Sequence, residues 1–257
     1  LKDTQRKHLI FYDKDLEKVF EKEEDFTNED TVKVIIRKKL RTDGLQKQKY
    51  IRRKNIIKIN KMKIQKEIDF ILAVDALKNV QRRNYNADDS RRENTAEHSW
   101  QIVILAQILY PYAKNRADID LLRVIRMLSI HDLVEIEAGD TFLFDEKAMV
   151  GKFEREKISA QKIFGILDEP LRSEFFNLWL EFEEEKTPDA IFACAIDRIM
   201  PFILNSHTSG KSWTEAGVTE KQIRNMLENA IRRASDEMGE AFELLLNRSL
   251  ETEKVLK

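Results

Sequence analysis

From Ile64 onward, apolar residues recur every three or four positions, the period of an α-helix. Ile64, Ile68, Ile71, Leu72 and Leu77 predict an amphipathic helix ending near Lys78. The polar stretch from Arg82 to Glu93 reads as a loop. Asn94 then opens a second helix, with Glu97 three residues on in a capping-box pattern. That helix carries Trp100, Val103, Ile104, Ile108 and Leu109, with His98 in its first turn. A third helix is expected from about Ile119 to Glu137, closed by the left-handed turn that Gly139 permits. Two more follow, from Lys152 to Leu167 and from Pro170 to Glu184. Thr187-Pro188 is an N-cap and first-turn pair. It opens a helix through Asp197 to about Leu204, with Pro201 as a kink. Asn205 to Val218, containing Gly210 and Gly217, reads as a loop. A last long helix spans Thr219 to about Lys254.

The pattern before Ile64 is different. Asp13 to Asp30 is dominated by acids, and the stretch from Arg37 to Lys63 is dominated by bases, with Asp43 the one acid among them. Thr31 to Leu40 and Lys49 to Ile59 are rich in β-branched residues, with Asp43-Gly44 between them, which predicts a β-hairpin. Two domains are therefore expected, a charged extension over 1–63 and a helical domain over 64–257. The basic stretch suits a nucleic-acid or acidic-partner patch. The plainer reading is a solvated extension neutralised by the acids before it. A third reading places the working start at Met62, since the chain begins at Leu1.

Composition narrows the class. Of the 257 residues, 42% are hydrophobic and 35% charged, enough apolar material for a core. Only 7 Gly and 4 Pro occur, which favours helices over an all-β fold. A formal net charge of −1 excludes a polycation built as a whole for nucleic acid. The single Cys194 excludes a disulfide framework and any cysteine-based zinc cluster. The longest apolar stretch, Ile102 to Tyr110, is interrupted by Gln107 and is too short to span a bilayer. No signal-peptide pattern is visible, and a cytoplasmic setting is expected.

The candidate chemistry lies in four scarce histidines: His8, His98, His131 and His207. His131-Asp132 puts two polar groups into an apolar run, where buried polar groups need partners. Glu135 lies on the same helical face, and Asp140 follows just past Gly139. Asp197 interrupts the apolar run from Ile191 to Met200. Each has a plain alternative: a surface residue for His98, a satisfied core histidine for His131, and an ion pair with Arg198 for Asp197. The ordered set of His, then His-Asp, then Asp, each on an expected helix, points instead to a metal site of mixed nitrogen and oxygen ligands.

The order His98…His131-Asp132…Asp197 resembles the HD-domain metal-dependent phosphohydrolases. The string Arg91 to Ser99 is similar to the first motif of their 5′-deoxynucleotidase branch, and His131 to Thr141 to the second. Leu77 to Arg82, Leu178-Trp179 to Glu183, Asp197 to Pro201 and Gly210 to Trp213 add to the likeness. The resemblance covers roughly residues 64–250. It implies an all-α bundle enclosing one divalent ion (manganese, cobalt, iron, nickel or magnesium) held by His98, His131, Asp132 and Asp197. It implies hydrolysis of a small phosphate ester, a nucleoside 5′-monophosphate first among them. Arg82 would hold the phosphate, Glu135 would orient or deprotonate the attacking water, and Asp140 would shape the pocket or assist proton transfer. The plain alternative for Glu135 is an acceptor that orients His131. Relatives often pair, so a homodimer is expected.

Two features depart from the family. An aromatic residue that helps select deoxyribose follows the phosphate-holding arginine in the bacterial nucleotidases. Here Arg83 and Asn84 follow, with Tyr85 next. The first 60 residues also have no counterpart in the family pattern. Sites with two or more metals need further histidines, and His207 is the one plausible extra ligand. The competing reading from another class is a nucleic-acid or partner-binding protein that uses the basic 37–63 stretch on the same scaffold.

Overall fold

A computed structural model describes residues 64–251 and the backbone of four strands upstream. The chain divides into two compact units, Leu1–Gln65 and Lys66–Lys257, each taken here by itself. In the first, β1 (His8–Asp13), β2 (Lys18–Glu23), β3 (Lys33–Arg37) and β4 (Arg53–Asn55) form an antiparallel sheet in that order. The β3–β4 pairing sets Val34 opposite Asn55 and Ile36 opposite Arg53, where the β-branched segments predict a hairpin. β1 and β2 were hidden by the surrounding acids, although Leu9 to Tyr12 is a run of strand-favouring residues. The side chains of the 13–30 acidic and 37–63 basic stretches, His8 and Met62 lie outside the described residues.

The second unit is helical. Its elements are α1 (Gln65–Val74), the short strands β5 (Gln81–Tyr85) and β6 (Arg92–Asn94), α2 (Thr95–Leu109) and α3 (Leu121–Ile130). Next come α4 (Glu135–Ala138), α5 (Glu146–Met149), α6 (Lys152–Phe164), α7 (Leu171–Glu184) and α8 (Pro188–His207). The remainder is α9 (Lys211–Ala216), α10 (Glu220–Ile223), α11 (Asn229–Ala234) and α12 (Asp236–Glu251), with a π-turn at Arg224–Glu228. Among the described residues, no helix is long and apolar enough to cross a membrane.

Four expectations need correction. The polar stretch after Arg82 is a hairpin, not a loop: Gln81 pairs with Asn94 and Tyr85 with Arg92 across an irregular register. The expected third helix is broken by a 3₁₀ turn at His131–Val134, before α4 ends at Gly139 with φ of 76°. The expected loop after Asn205 contains α9 between Gly210 and Gly217. The long last helix is cut at Ser235, whose extended backbone ends α11 and whose Oγ accepts from Met238 N at 3.1 Å to start α12.

Packing selects faces that periodicity alone did not. In α2, Thr95, His98, Ile102 and Ala106 are buried, whereas Trp100, Ile104 and Ile108 are exposed. The helix is apolar on both sides, and small Thr95 and Ala106 permit the close approach of α3 and α8. In α1, Phe70 is buried while Ile71 and Leu72 face outward. α8 runs through the middle, packed by α2, α3, α7, α11 and α12 and buried along most of its length. Ala193, Ala195 and Ile196 in its centre are fully enclosed with Val124, Met127 and Leu128 of α3.

α2 begins with the expected reciprocal cap: Asn94 Oδ1 accepts from Glu97 N at 3.0 Å, and Glu97 Oε2 accepts from Asn94 N at 3.1 Å. Asn94→Ala removes one half and is expected to cost about 1 kcal/mol, lowering the melting temperature by about 2–4 °C. Calorimetric melting checks this, and an unchanged Tm removes Asn94 as a stabilising cap.

Candidate metal centre

The helix ends and turns around α8 bring four side chains to one place. His98 projects inward from the first turns of α2, and the 3₁₀ turn after α3 carries His131 and Asp132. Asp197 comes from the middle of α8. One ligand atom of each lies within 4.8 Å of the others. His98 Nε2 is 2.9 Å from Asp197 Oδ1, and His131 Nε2 is 3.0 Å from Asp132 Oδ1 and 3.5 Å from Asp197 Oδ1. Phe182 backs the His131 ring, with centroids 4.4 Å apart.

Hydrogen bonding decides what this cluster can hold. His131 Nδ1 lies 3.0 Å from the Leu128 carbonyl, which can only accept, so Nδ1 carries the proton. Nε2 is therefore aimed at two carboxylates with a lone pair, and it is buried with no hydrogen-bond partner. Acceptors facing acceptors in a buried site require a cation between them. Without metal, a proton on His131 serves. Burial opposes that charge, but Asp132 and Asp197 outweigh it and push the His131 pKa well up. Asp197 is also opposed by burial, yet the neighbouring His131 and His98 rings hold it well below the usual carboxylate range. Two imidazoles and two carboxylates fit a divalent first-row ion.

A second layer of charge adjoins the cluster. Arg82, on β5, sets Nη1 3.5 Å from Asp132, 3.6 Å from Asp140 and 4.0 Å from Glu135. Burial works against the guanidinium, but the surrounding carboxylates more than restore its charge. Thr95 Oγ1 donates to Glu135 Oε2 at 2.9 Å. Burial, reinforced by Asp132 and countered by Arg82, pushes the Glu135 carboxyl well up. Burial also raises Asp140, against the pull of Arg82. The β5–β6 hairpin is pinned to α9: Tyr85 Oη donates to Glu215 at 2.9 Å and Arg92 pairs with Glu215 at 2.7 Å. Lys211 Nζ also lies 3.8 Å from the Tyr85 ring centroid.

A cavity of about 380 Å³ opens beside the cluster. Arg82, His131, Asp132, Glu135, Asp140 and Asp197 line it, and fully buried His98 stands behind the wall. All seven residues singled out from the sequence are thus brought together. His207 is exposed and outside the cluster. Sequence reasoning assigned no role to Glu93, which is 1% exposed beside Arg82 and His98. It also passed over the wall formed by Lys152, Glu156 and Glu183. The signal for the latter was an i, i+4 Lys-Glu pair, with Lys152 Nζ 2.6 Å from Glu156.

A family model described as the HD domain matches residues 74–239. The 5′-deoxynucleotidase HDDC2 of Danio rerio is 28% identical over 141 residues, 54% of this chain and 68% of that protein. The protein of the same name from Homo sapiens is 26% identical over 132 residues, 51% of this chain and 62% of that protein. A crystal structure described as a predicted metal-dependent phosphohydrolase from Magnetospirillum magnetotacticum MS-1 matches with a TM-score of 0.71 and 36% identity. That match covers 77% of this chain and all of the other.

Replacing Arg82 by Met leaves Glu93, Asp132, Glu135 and Asp140 facing one another without their cation. The expected loss of stability at neutral pH, with metal chelated, is about 3–5 kcal/mol. Burial raises the folded pKa values of Glu93, Glu135 and Asp140 above their unfolded ones, so the native state binds protons at these groups more tightly than the unfolded chain. Stability contributed this way is present at low pH and falls as pH rises above about 4, the unfolded range. Loss of Arg82 raises those folded values further and steepens the fall. Urea unfolding at about pH 5 and pH 8 checks this: the penalty should be smaller at the lower pH, and an equal penalty at both rejects the electrostatic account.

Proposed function

The chain belongs to the HD-domain family of metal-dependent phosphohydrolases, and on that premise we propose that it hydrolyses nucleoside 5′-monophosphates to nucleoside and inorganic phosphate. The observation that carries this reading is the pairing of a two-histidine, two-aspartate cluster with a buried arginine at the mouth of one cavity. The similarity to vertebrate proteins named 5′-deoxynucleotidases supports the substrate class. His98, His131, Asp132 and Asp197 would hold one divalent ion, with manganese, cobalt, iron, nickel and magnesium as candidates. When bound, the ion supplies Lewis acidity that draws negative charge from a phosphoryl oxygen.

The chain's own groups have distinct tasks. Arg82 donates hydrogen bonds to the phosphate and orients it in the cavity. Thr95 occupies Glu135 Oε2, which leaves Oε1 to accept a proton from the attacking water. A carboxyl whose pKa burial has raised keeps that proton better than a solvated one would. The water oxygen bonds to phosphorus as the bond to the 5′-oxygen breaks in line with it. Asp140, on the same cavity wall, would assist proton transfer to the leaving 5′-oxygen. On the sugar side, Arg83 lies 6.0 Å from the Phe142 ring centroid at the cavity wall. An arginine there is a weaker steric filter than an aromatic ring, and both ribo- and deoxyribonucleotides are expected as substrates.

Phosphate release from a panel of both sugar types, after chelation and re-addition of each metal, tests the reaction. Glu135→Gln should lower kcat by about 10²–10⁴ while retaining metal, and Asp132→Ala should abolish both. Metal-loaded protein that releases no phosphate from any nucleotide sinks the nucleotidase reading.

Metal uptake must also compete with protonation of His131, which Asp132 and Asp197 favour. Apparent metal affinity should therefore rise with pH. Calorimetric titrations in buffers of different ionisation enthalpy should show protons released. A pH-independent Kd with no proton release removes His131 Nε2 from the ligand set.

A further inference from the structure

One buried acid beside the centre has no part in the reaction above. Glu93 is the middle residue of β6 and the one member of that strand turned fully inward. Its Oε1 lies 3.5 Å from Arg82 Nε across the hairpin and 3.8 Å from His98 Nδ1 on the following helix. All three atoms are buried, and none has a hydrogen-bond partner. Arg82 Nε, a donor, and His98 Nδ1, a donor in the tautomer that leaves Nε2 free for metal, thus converge on one carboxylate oxygen, and buried polar atoms are costly to leave unmet. A shift of less than about 1 Å brings both separations into hydrogen-bond range.

The other sides of Arg82 and His98 show what is linked. His98 Nε2 faces Asp197 at 2.9 Å and Asp132 at 3.9 Å, so it belongs to the metal cluster. Arg82 Nη1 faces the cavity acids Asp132, Asp140 and Glu135. Glu93 therefore touches the back of the group proposed to hold metal and the back of the group proposed to hold phosphate. The hairpin sets this up: β5 carries Arg82, β6 carries Glu93, and the Asn94 cap starts α2 so that His98 follows about one turn on.

We propose that Glu93 is a positioning residue that couples metal binding to phosphate binding, fixing His98 with its proton on Nδ1 and steadying the Arg82 guanidinium through one shared oxygen. A carboxylate behind a ligating imidazole sets the tautomer and raises ligand basicity, and its loss weakens metal affinity by about 10–100-fold. A shared acceptor makes the coupling reciprocal: metal raises phosphate affinity by the same factor as phosphate raises metal affinity. The Arg82 half rests on the proposed phosphohydrolase reading, while the His98 half requires only metal binding.

The test uses Glu93→Gln, which keeps shape and an acceptor but loses the charge. Manganese affinity is measured by calorimetry without phosphate, and inorganic phosphate affinity is measured with and without manganese. The expected result is manganese binding weakened by about 10–100-fold, with the factor by which manganese enhances phosphate binding reduced towards one. Manganese affinity within threefold of wild type and an undiminished enhancement overturn the proposal. Should the variant fail to fold, nitrogen-15 NMR of zinc-loaded wild type decides: Nδ1 of His98 must carry the proton, and an unprotonated Nδ1 rejects the idea. Failure of the nucleotidase reading looks different, since wild type would then bind metal but hydrolyse no nucleotide, and the metal affinities and the His98 tautomer would still judge Glu93.

Discussion

Buried negative charge is the constraint on which the rest depends. Glu93, Asp132, Glu135, Asp140 and Asp197 place five carboxyl groups around one guanidinium and two imidazoles. Out of water, like charges at such separations repel strongly, and each needs a cation or a proton. The site divides the task. The histidines hold Asp132 and Asp197 below the usual carboxylate range, whereas burial raises Glu93, Glu135 and Asp140 against the opposing pull of Arg82. A divalent ion fits among the first set, and in the proposed function Arg82 is the group that meets the phosphate.

Holding such a cluster requires rigid surroundings. α8 supplies Asp197 from the best-buried helix of the second unit. The capping box fixes where α2 begins and hence where His98 points. The 3₁₀ turn after α3 tightens the chain just where the His-Asp doublet falls, and it gives His131 Nδ1 a carbonyl to bond. Ser159, from α6, donates to the Val134 carbonyl in that same turn. Carbonyls at a helix break need partners, and here side chains near the site provide them.

Much of this was legible in the residues because it rests on local chemistry. Asn94 with Glu97, and Thr187 with Pro188, mark helix starts by what their side chains can bond, and both starts stand where they were read. His131, Asp132 and Asp197 stood out because polar groups in apolar runs require a partner, and His98 stood out as a scarce histidine at its place in the ordered set. Features set by distant packing were harder. The face of α2 could not be chosen when both sides are apolar, and the core took Ala106 rather than Trp100. The β5–β6 hairpin has too few apolar residues to show a period of two, so Glu93 read as loop polarity. Ser235-Asp236-Glu237 carried a usable start signal for α12, but the strong helical period on both sides masked it.

The same charge balance separates two kinds of arginine in the second unit. Arg198 and Arg233 both close directly on Glu185, and Arg123 closes on Glu181. Each is committed to a carboxylate in direct contact, which ties helices together but leaves little of the fork to offer a ligand. Arg82 differs: its carboxylates stand 3.5–4.0 Å away and none is in close contact. Its charge is retained by their summed field, not by one partner. A phosphate that offers charge-assisted hydrogen bonds of about 2.7–2.9 Å competes with several loose contacts instead of breaking a tight one. In the proposed role, the acids around Arg82 therefore keep it charged, in place and available.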